Sequence, residues 1–233
     1  MSGVDLRRTD SVLSVWERPL LGWLAARLPA WVTPDSLTAV GFAGALLCLG
    51  GYALAAHTAW GLLVASLGLV VNWFGDSLDG TLARHRRIER PRYGYVLDNG
   101  LDMVEQLLLA IGVGLSGYVR WELCFFSLSV LFMMSSLSAI QARVRPVHTL
   151  AYGGLGLTEL RLGGLAMNAL LAAVPPSRLD FLGLPMSYPD LIALIWSVAT
   201  LLVFATSLTG QVRELAREEP PRTPRRNSPG PGA

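Results

Sequence analysis

Lysine is missing from this 233-residue chain, so all nineteen basic residues are arginine. Charge of either sign is scarce, at 15% of residues against 52% hydrophobic. That balance speaks against a water-soluble domain and points to a membrane protein. Cysteine occurs twice, at Cys48 and Cys124, each inside an apolar run and far from the other. This number and spacing exclude a disulfide framework or a zinc site and leave small buried hydrophobes as the reading. Of the three histidines, His57 and His148 have no partner at a ligand spacing, and His85 sits among arginines as a loop residue. The N-terminus is charged and amphipathic, without the compact apolar core and small-residue cleavage site of a signal peptide. No internal repeat of fixed period is present.

What the chain does have is apolar runs approaching the length that crosses a hydrocarbon slab of ~30 Å. They lie at about 37–56, 59–76, 98–118, 123–141, 160–174 and 190–209. The expected fold is all-α: a polytopic membrane bundle of six transmembrane helices within residues 33–212, joined by short connections. Residues 1–32 form a juxtamembrane segment ahead of it. Between 10 and 31, apolar residues at spacings of three and four alternate with Arg18 and Arg27, and Trp16, Trp23 and Trp31 accompany them. That pattern predicts an amphipathic helix lying in the membrane interface, with the indoles at headgroup level. Ser36 is the expected cap of the first spanning helix, and Pro189 suits the first turn of the sixth. The stretch around Pro175, Pro176 and Pro185 reads as a loop. Residues 213–233, rich in Pro, Gly and Arg, read as a disordered tail.

The arginines are distributed unevenly. Arg7, Arg8, Arg18 and Arg27 precede the first span, five lie between Arg84 and Arg92, Arg143 and Arg145 follow the fourth, and Arg213 onward follow the sixth. Only Arg120 and Arg178 fall in the opposite loops. The positive-inside bias puts both termini on the cytoplasmic side of the cell's inner membrane. An anionic leaflet or a phosphate-bearing substrate suits that face. Nucleic acid is not an expected partner, because these arginines flank membrane spans.

Four carboxylates break the apolar pattern. Asp76 and Asp79 lie three apart at the end of the second run, and Asp98 and Asp102 lie four apart at the start of the third. Helical spacing puts each pair on one face, and helices joined by a short connection are normally antiparallel neighbours, so the pairs meet near one membrane surface. Carboxylates there are functional-site candidates. Aspartates gathered at one point repel one another without a cation, and oxygen ligands suit Mg2+ or Mn2+, with two ions the common device for phosphoryl chemistry. Gly80 lets a bulky ligand approach the backbone, Ala83 keeps the surface low, and Arg84 offers a planar fork to phosphate. Gly94 opens space facing Gly80, and Asp102 suits a general base.

The pattern D-x-x-D-G-x-x-A-R, nine residues, then G-x-x-x-D-x-x-x-D resembles the signature of the CDP-alcohol phosphatidyltransferases, integral-membrane enzymes of phospholipid synthesis. All eight positions match: Asp76, Asp79, Gly80, Ala83, Arg84, Gly94, Asp98 and Asp102. The six-span layout is similar too, over roughly 33–210. The resemblance implies that Asp76, Asp79 and Asp98 bind the metals and that Asp102 is base and ligand. It implies that Gly80, Ala83, Arg84 and Gly94 line the CDP site with Pro34, Asp35 and Thr38, whose Pro-Asp-x-x-Thr pattern is similar to a nucleotide-binding segment of the family. It also implies a homodimer acting on a CDP-linked lipid and a polar alcohol, with CMP leaving.

Some alternatives stay open. Thr158-Glu159-Leu160-Arg161 resembles a Thr-Glu-x-Arg segment in parts of the family, where Arg161 either binds an acceptor phosphate or pairs with Glu159. Arg143 and Arg145 are either acceptor-site cations or topology determinants. Glu105 shares the face of Asp98 and Asp102 as second shell or polar lining. Ion pairing with the arginines between 84 and 92 would tolerate the aspartates but leaves Gly80, Ala83 and Gly94 unexplained. Leu97-Asp98-Asn99-Gly100-Leu101-Asp102 resembles the Phe-Asp-His-Gly-x-Asp of choline and ethanolamine phosphotransferases, which would make diacylglycerol the acceptor, whereas Pro-Asp-x-x-Thr is shared with members using inositol phosphate. A reading of another class, a transporter with an acidic cation site, lacks the midplane position and broken-helix repeat of such proteins.

Overall fold

The computed structural model describes residues 14–144, 157–181 and 184–219. Among these, seven α-helices and one hairpin follow in the order α1 (Ser14–Ala25), α2 (Pro34–Ala55), α3 (Trp60–Arg86), α4 (Pro91–Ser116), α5 (Trp121–Val144), α6 (Leu157–Ala173), β1 (Arg178–Phe181), β2 (Leu184–Ser187) and α7 (Tyr188–Glu218).

The start of α2 is fixed by a capping box. Thr33, in extended conformation, accepts from the Ser36 N–H at 3.1 Å, while the Thr33 N–H donates to Ser36 Oγ at 3.0 Å. Thr33 is therefore the cap, and the expected Ser36 is its reciprocal partner one turn in. Pro34 fills the first helical position, where no N–H is needed. The same device starts α7, with Ser187 as cap, Asp190 as its partner, and Pro189 in the first turn as expected.

The centre of the bundle is the antiparallel pair α2–α3, which meets backbone to backbone. Gly41, Gly44, Cys48 and Gly51 on α2 face Gly61, Ala65, Gly68, Asn72 and Gly75 on α3, all at spacings of three and four. A Cβ added at Gly44 would stand 2.4 Å from the Asn72 nitrogen, and one at Gly51 2.2 Å from that of Ala65. Small residues at this period let two helices approach until their main chains touch, which is how helices associate where lipid supplies no hydrophobic drive. Around this pair, α4 packs on α2, α1 and α6 on α3, α5 on α4, and α7 on α5. The helices α3 and α4, joined through residues 87–90, make little direct contact with each other; both lean on α2. The expected close α3–α4 neighbourhood is thus corrected to a cleft floored by α2.

Two apolar cores follow. One joins Cys48, Tyr52, Ala55, Leu62, Ala65, Leu69 and Leu171 across α2, α3 and α6. The other packs Leu21 and Ala25 of α1 and Val32 onto Leu37, Leu78 and Leu82. Both cysteines are buried and unbridged. Polar bonds define the two ends of the bundle. At one, Asp35 meets Arg90 and Asp76 meets Arg161. At the other, the Asp190 carboxylate accepts from the Arg120 N–H at 2.9 Å, and the Tyr188 hydroxyl donates to the Val174 carbonyl at 2.7 Å. Ser127 and Ser197 bond at 2.7 Å one level further in, so α5 and α7 run parallel.

Several boundaries differ from expectation. The second run continues as helix to Arg86, where Arg87 closes it in left-handed conformation (φ 57°). The third starts at Pro91, so both aspartate pairs lie inside helices rather than at their ends. In the stretch read as loop, β1 and β2 pair antiparallel, with Arg178 opposite Ser187. The interfacial stretch 10–31 is helical over Ser14–Ala25, and residues 10–13 lie outside the described residues. α7 runs to Glu218, past the expected boundary at 213, and the tail from 220 lies outside the described residues. Among the described residues, four helices are long and apolar enough to cross a membrane: α2, α3, α5 and α7. α4 is long but carries Asp98, Asp102 and Glu105, and α6 has 17 residues.

Candidate active site

α3 presents Asn72, Asp76 and Asp79 one turn apart on a single face, and α4 presents Asp98, Asp102 and Glu105 likewise. Asp76, Asp79 and the α4 row line one small cavity together with Thr38 and Gly41 of α2. All five carboxylates therefore share a chamber, as the spacing predicted for the four aspartates. Asp79 is buried and held: Thr38 Oγ1 donates to Oδ2 at 2.6 Å, and the Gly80 N–H donates to Oδ1. Asp76 Oδ2 accepts from Arg161 Nη2 at 2.7 Å. Glu105 accepts from Asn72 Nδ2 at 2.8 Å, so it belongs to the chamber's polar lining and binds its wall.

From this chamber a groove opens outward, sharing Thr38, Asp79 and Asp98 with it. Pro34, Asp35, Gly80, Ala83, Arg84 and Gly94 line it, along with Arg90, Tyr93 and Tyr95. Counting space open to solvent, it encloses about 640 Å³. The glycines here differ in kind from those of the α2–α3 seam. A Cβ at Gly94 would meet nothing within 4 Å, and one at Gly80 would meet only the flexible end of Arg84 at 3.3 Å. Protein packing does not demand glycine at either place. Across the groove's mouth Asp35 pairs with Arg90, whose guanidinium also lies 4.0 Å over the Tyr93 ring.

The donor set of the chamber is oxygen only, which suits a hard divalent cation. Among the described residues, no three His, Cys, Asp or Glu side chains stand close enough together to hold one ion. Asp76 bonds Arg161 and Asp79 bonds Thr38. The residue chemistry fits the cation.

Of the acceptor-side arginines, Arg161 takes a partner that the sequence did not single out. Arg161, 10% exposed, bonds Asp76 and donates through Nε to Asn72 Oδ1 at 2.8 Å. Its carboxylate partner is therefore Asp76, and the Glu159 side chain lies outside the described residues. Arg143 is exposed in the last turn of α5 and lines neither cavity. Arg145 lies outside the described residues.

Three structural residues of the site escaped the sequence reading. Asn72 sits between α2, α4 and α6, donating also to the Gly41 carbonyl at 3.1 Å; its signal was its position one turn before Asp76. Glu17 of α1 takes bonds from α3 and α6. Arg86, read as a topology determinant, donates to the carbonyls of Leu28, Pro29, Ala30 and Val32 and so fixes the segment that leads into Pro34 and Asp35. Neither of the last two had a local spacing to betray it.

Comparison with known proteins bears on the same residues. Residues 31–205 match the CDP-alcohol phosphatidyltransferase family. Cholinephosphotransferase 1 of Xenopus laevis is 26% identical over 189 residues, covering 74% of this chain and 45% of that protein. Its Danio rerio counterpart is 27% identical over 191 residues, covering 74% and 49%. Archaetidylinositol phosphate synthase of Pyrococcus horikoshii is 33% identical over 122 residues, covering 52% and 61%. The chain spans about half the length of these cholinephosphotransferases. With the full signature arrayed on one chamber and groove, and the match running through most of its length, the chain belongs to the CDP-alcohol phosphatidyltransferase family.

Proposed function

We propose that this protein transfers a phosphatidyl or related phospho-alcohol group from a CDP-linked lipid, such as CDP-diacylglycerol, to the hydroxyl of a polar alcohol. One observation carries the reading: five carboxylates on two helices line a chamber that opens into a groove bordered by all seven residues expected to hold CDP. In the reaction the acceptor oxygen bonds the phosphorus distal to cytidine. The bond from that phosphorus to the bridging oxygen breaks, and CMP leaves with the electron pair.

Asp102 takes the acceptor's proton. Arg84 lies along the groove wall, where its planar fork meets diphosphate oxygens. Thr38 orients Asp79, and Pro34, Asp35, Gly80, Ala83 and Gly94 shape the nucleotide bed. Asp76, Asp79, Asp98 and Asp102 would hold Mg2+ or Mn2+, as two ions, whose charge would offset that of the diphosphate and the departing oxygen.

Both chain ends and the chamber face the cytoplasm in this proposal, with six crossings. The four long apolar helices are joined by α4 and α6. Each of these connects opposite ends of the bundle, and that supports counting them as crossings. The homodimer rests on the family resemblance. A second donor arrangement, a CDP-aminoalcohol with diacylglycerol as acceptor, draws support from the cholinephosphotransferase relatives.

The deciding experiment incubates purified protein with CDP-diacylglycerol or a CDP-aminoalcohol, Mg2+ or Mn2+, and a panel of alcohols including diacylglycerol. Metal-dependent CMP release is expected with one pair, falling by at least about a hundredfold in Asp102→Asn and Asp79→Asn. CMP release indifferent to both changes would defeat the proposal, and ion flux in liposomes without CMP release would favour the transporter.

A further inference from the structure

Arg161 reaches the chamber from α6, held at two points on α3: its Nε donates to Asn72 Oδ1 at 2.8 Å and its Nη2 to Asp76 Oδ2 at 2.7 Å. The Asn72 amide faces both ways, because its nitrogen donates to Glu105 at 2.8 Å while its oxygen receives Arg161. An arginine and a glutamate are thereby each bonded to one amide interposed between them. Asn72 is 7% exposed and is fixed against α2 through the Gly41 carbonyl, so it is a rigid spacer. Asp76, in turn, is engaged by a cation of the protein's own.

We infer that Arg161 is a built-in counter-cation for Asp76, which an incoming divalent ion displaces, and that Asn72 is the positioning residue that keeps it on Asp76 and off Glu105. The inference rests on the proposed function, since it concerns the same carboxylates. Its physical basis is competition. Five carboxylates around one chamber repel one another, and a guanidinium bonded to one of them relieves part of that repulsion while no ion is bound. A metal ion and Arg161 then bid for the same oxygen, and each weakens the other's hold by the same factor. Such a device keeps the bundle intact between turnovers and lets the ion leave.

The test is a Mn2+ titration of the purified full-length protein in detergent, read by the loss of the free-ion EPR signal. Arg161→Gln is expected to bind Mn2+ roughly tenfold more tightly than the wild type, a typical size for coupling between two sites. Arg161→Lys, which keeps the charge without the fork, should fall between. Asn72→Ala frees the guanidinium to move onto Glu105 and should shift affinity the same way, adding little in the double variant. In EDTA, Arg161→Gln should melt below the wild type, and saturating Mn2+ should close that gap, which a merely structural role would not produce. Unchanged or weaker Mn2+ binding in Arg161→Gln overturns the inference and leaves the proposed function standing. A wild-type protein that binds no Mn2+ takes both down. Should Arg161→Gln fail to fold, Arg161→Lys and Asn72→Ala decide, and wild-type affinity in both is the overturning result.

Discussion

Donors from two helices converge on one oxygen of Glu17: Trp73 Nε1 at 2.7 Å, Thr158 Oγ1 at 2.9 Å and Ser77 Oγ at 3.2 Å. Ser77 follows Asp76, and Thr158 lies one turn before Arg161, so this carboxylate ties α1 to the part of the bundle that carries the chamber. Removing it leaves an indole N–H and a threonine hydroxyl facing each other without an acceptor, at a cost of about 1–3 kcal/mol. Glu17→Ala should therefore lower the apparent Tm by several degrees, with Glu17→Gln, which keeps an acceptor oxygen, losing less; a Tm equal to wild type in Glu17→Ala would contradict the assignment. The contrast with the aspartates shows what a sequence discloses at this scale. Asp76, Asp79, Asp98 and Asp102 were legible because helical spacing is local and their residue types are costly in lipid. The partners of Glu17 lie 56, 60 and 141 residues away, and nothing in the chain marks such a distance as a bond. Arg161 shows the intermediate case: its importance could be read, but its partner, Asp76, could not.

Helix α2 offers a controlled comparison between adjacent glycines. Gly51 lies on the seam, where a Cβ would meet the Ala65 backbone at 2.2 Å; Gly50 faces open space, with nothing within 4 Å. Gly51→Ala forces the two helices apart and should destabilise by roughly 1–3 kcal/mol. Gly50→Ala gains helix propensity worth up to about 1 kcal/mol and should be neutral or stabilising. Thermal unfolding of the two variants side by side checks this, and equal Tm values would dismiss the seam. The small residues were visible in the sequence at spacings of three and four, but the aspartates one turn beyond them drew the reading toward chemistry. The ends of α3 and α4 were misjudged for a different reason. Polarity ends a hydropathy run, whereas a helix ends where its hydrogen bonds do, here at Arg86 before the left-handed Arg87, ten residues beyond the end of the second apolar run at 76. The hairpin was hidden because prolines around it read as loop, and a pairing of four-residue strands leaves little pattern to detect.

For the molecule as a whole, the proposed orientation makes a sided prediction. Thr58, in the turn between α2 and α3, and Ser177, between α6 and β1, belong to the end of the bundle opposite the chamber. Glu89, between α3 and α4, and Glu218, at the end of α7, belong to the chamber's end. Cysteines introduced singly at Thr58 and Ser177 should react with an impermeant maleimide in sealed right-side-out vesicles, and those at Glu89 and Glu218 only after permeabilisation or in inverted vesicles. Native Cys48 and Cys124 are buried and contribute little background. The reverse labelling pattern would invert the topology. Hydropathy marked the stretches that fold as α2 to α7 among the described residues, of which four are long and apolar enough to cross a membrane. Which of them meet was not legible, because apolar faces in lipid carry no label for their neighbours.

That choice of neighbours decides how the two aspartate rows can change their separation. Between α2 and α3 there is no layer of side chains to yield, and the contact runs down to Gly41 and Gly75, next to Asp76. Asp76 and Asp79 thus ride on a helix pair packed main chain to main chain. Asp98 and Asp102 ride on a helix that packs on α2 and α5 and scarcely touches α3. Under the proposed function, drawing the four carboxylates onto shared ions calls for movement across the cleft between α3 and α4.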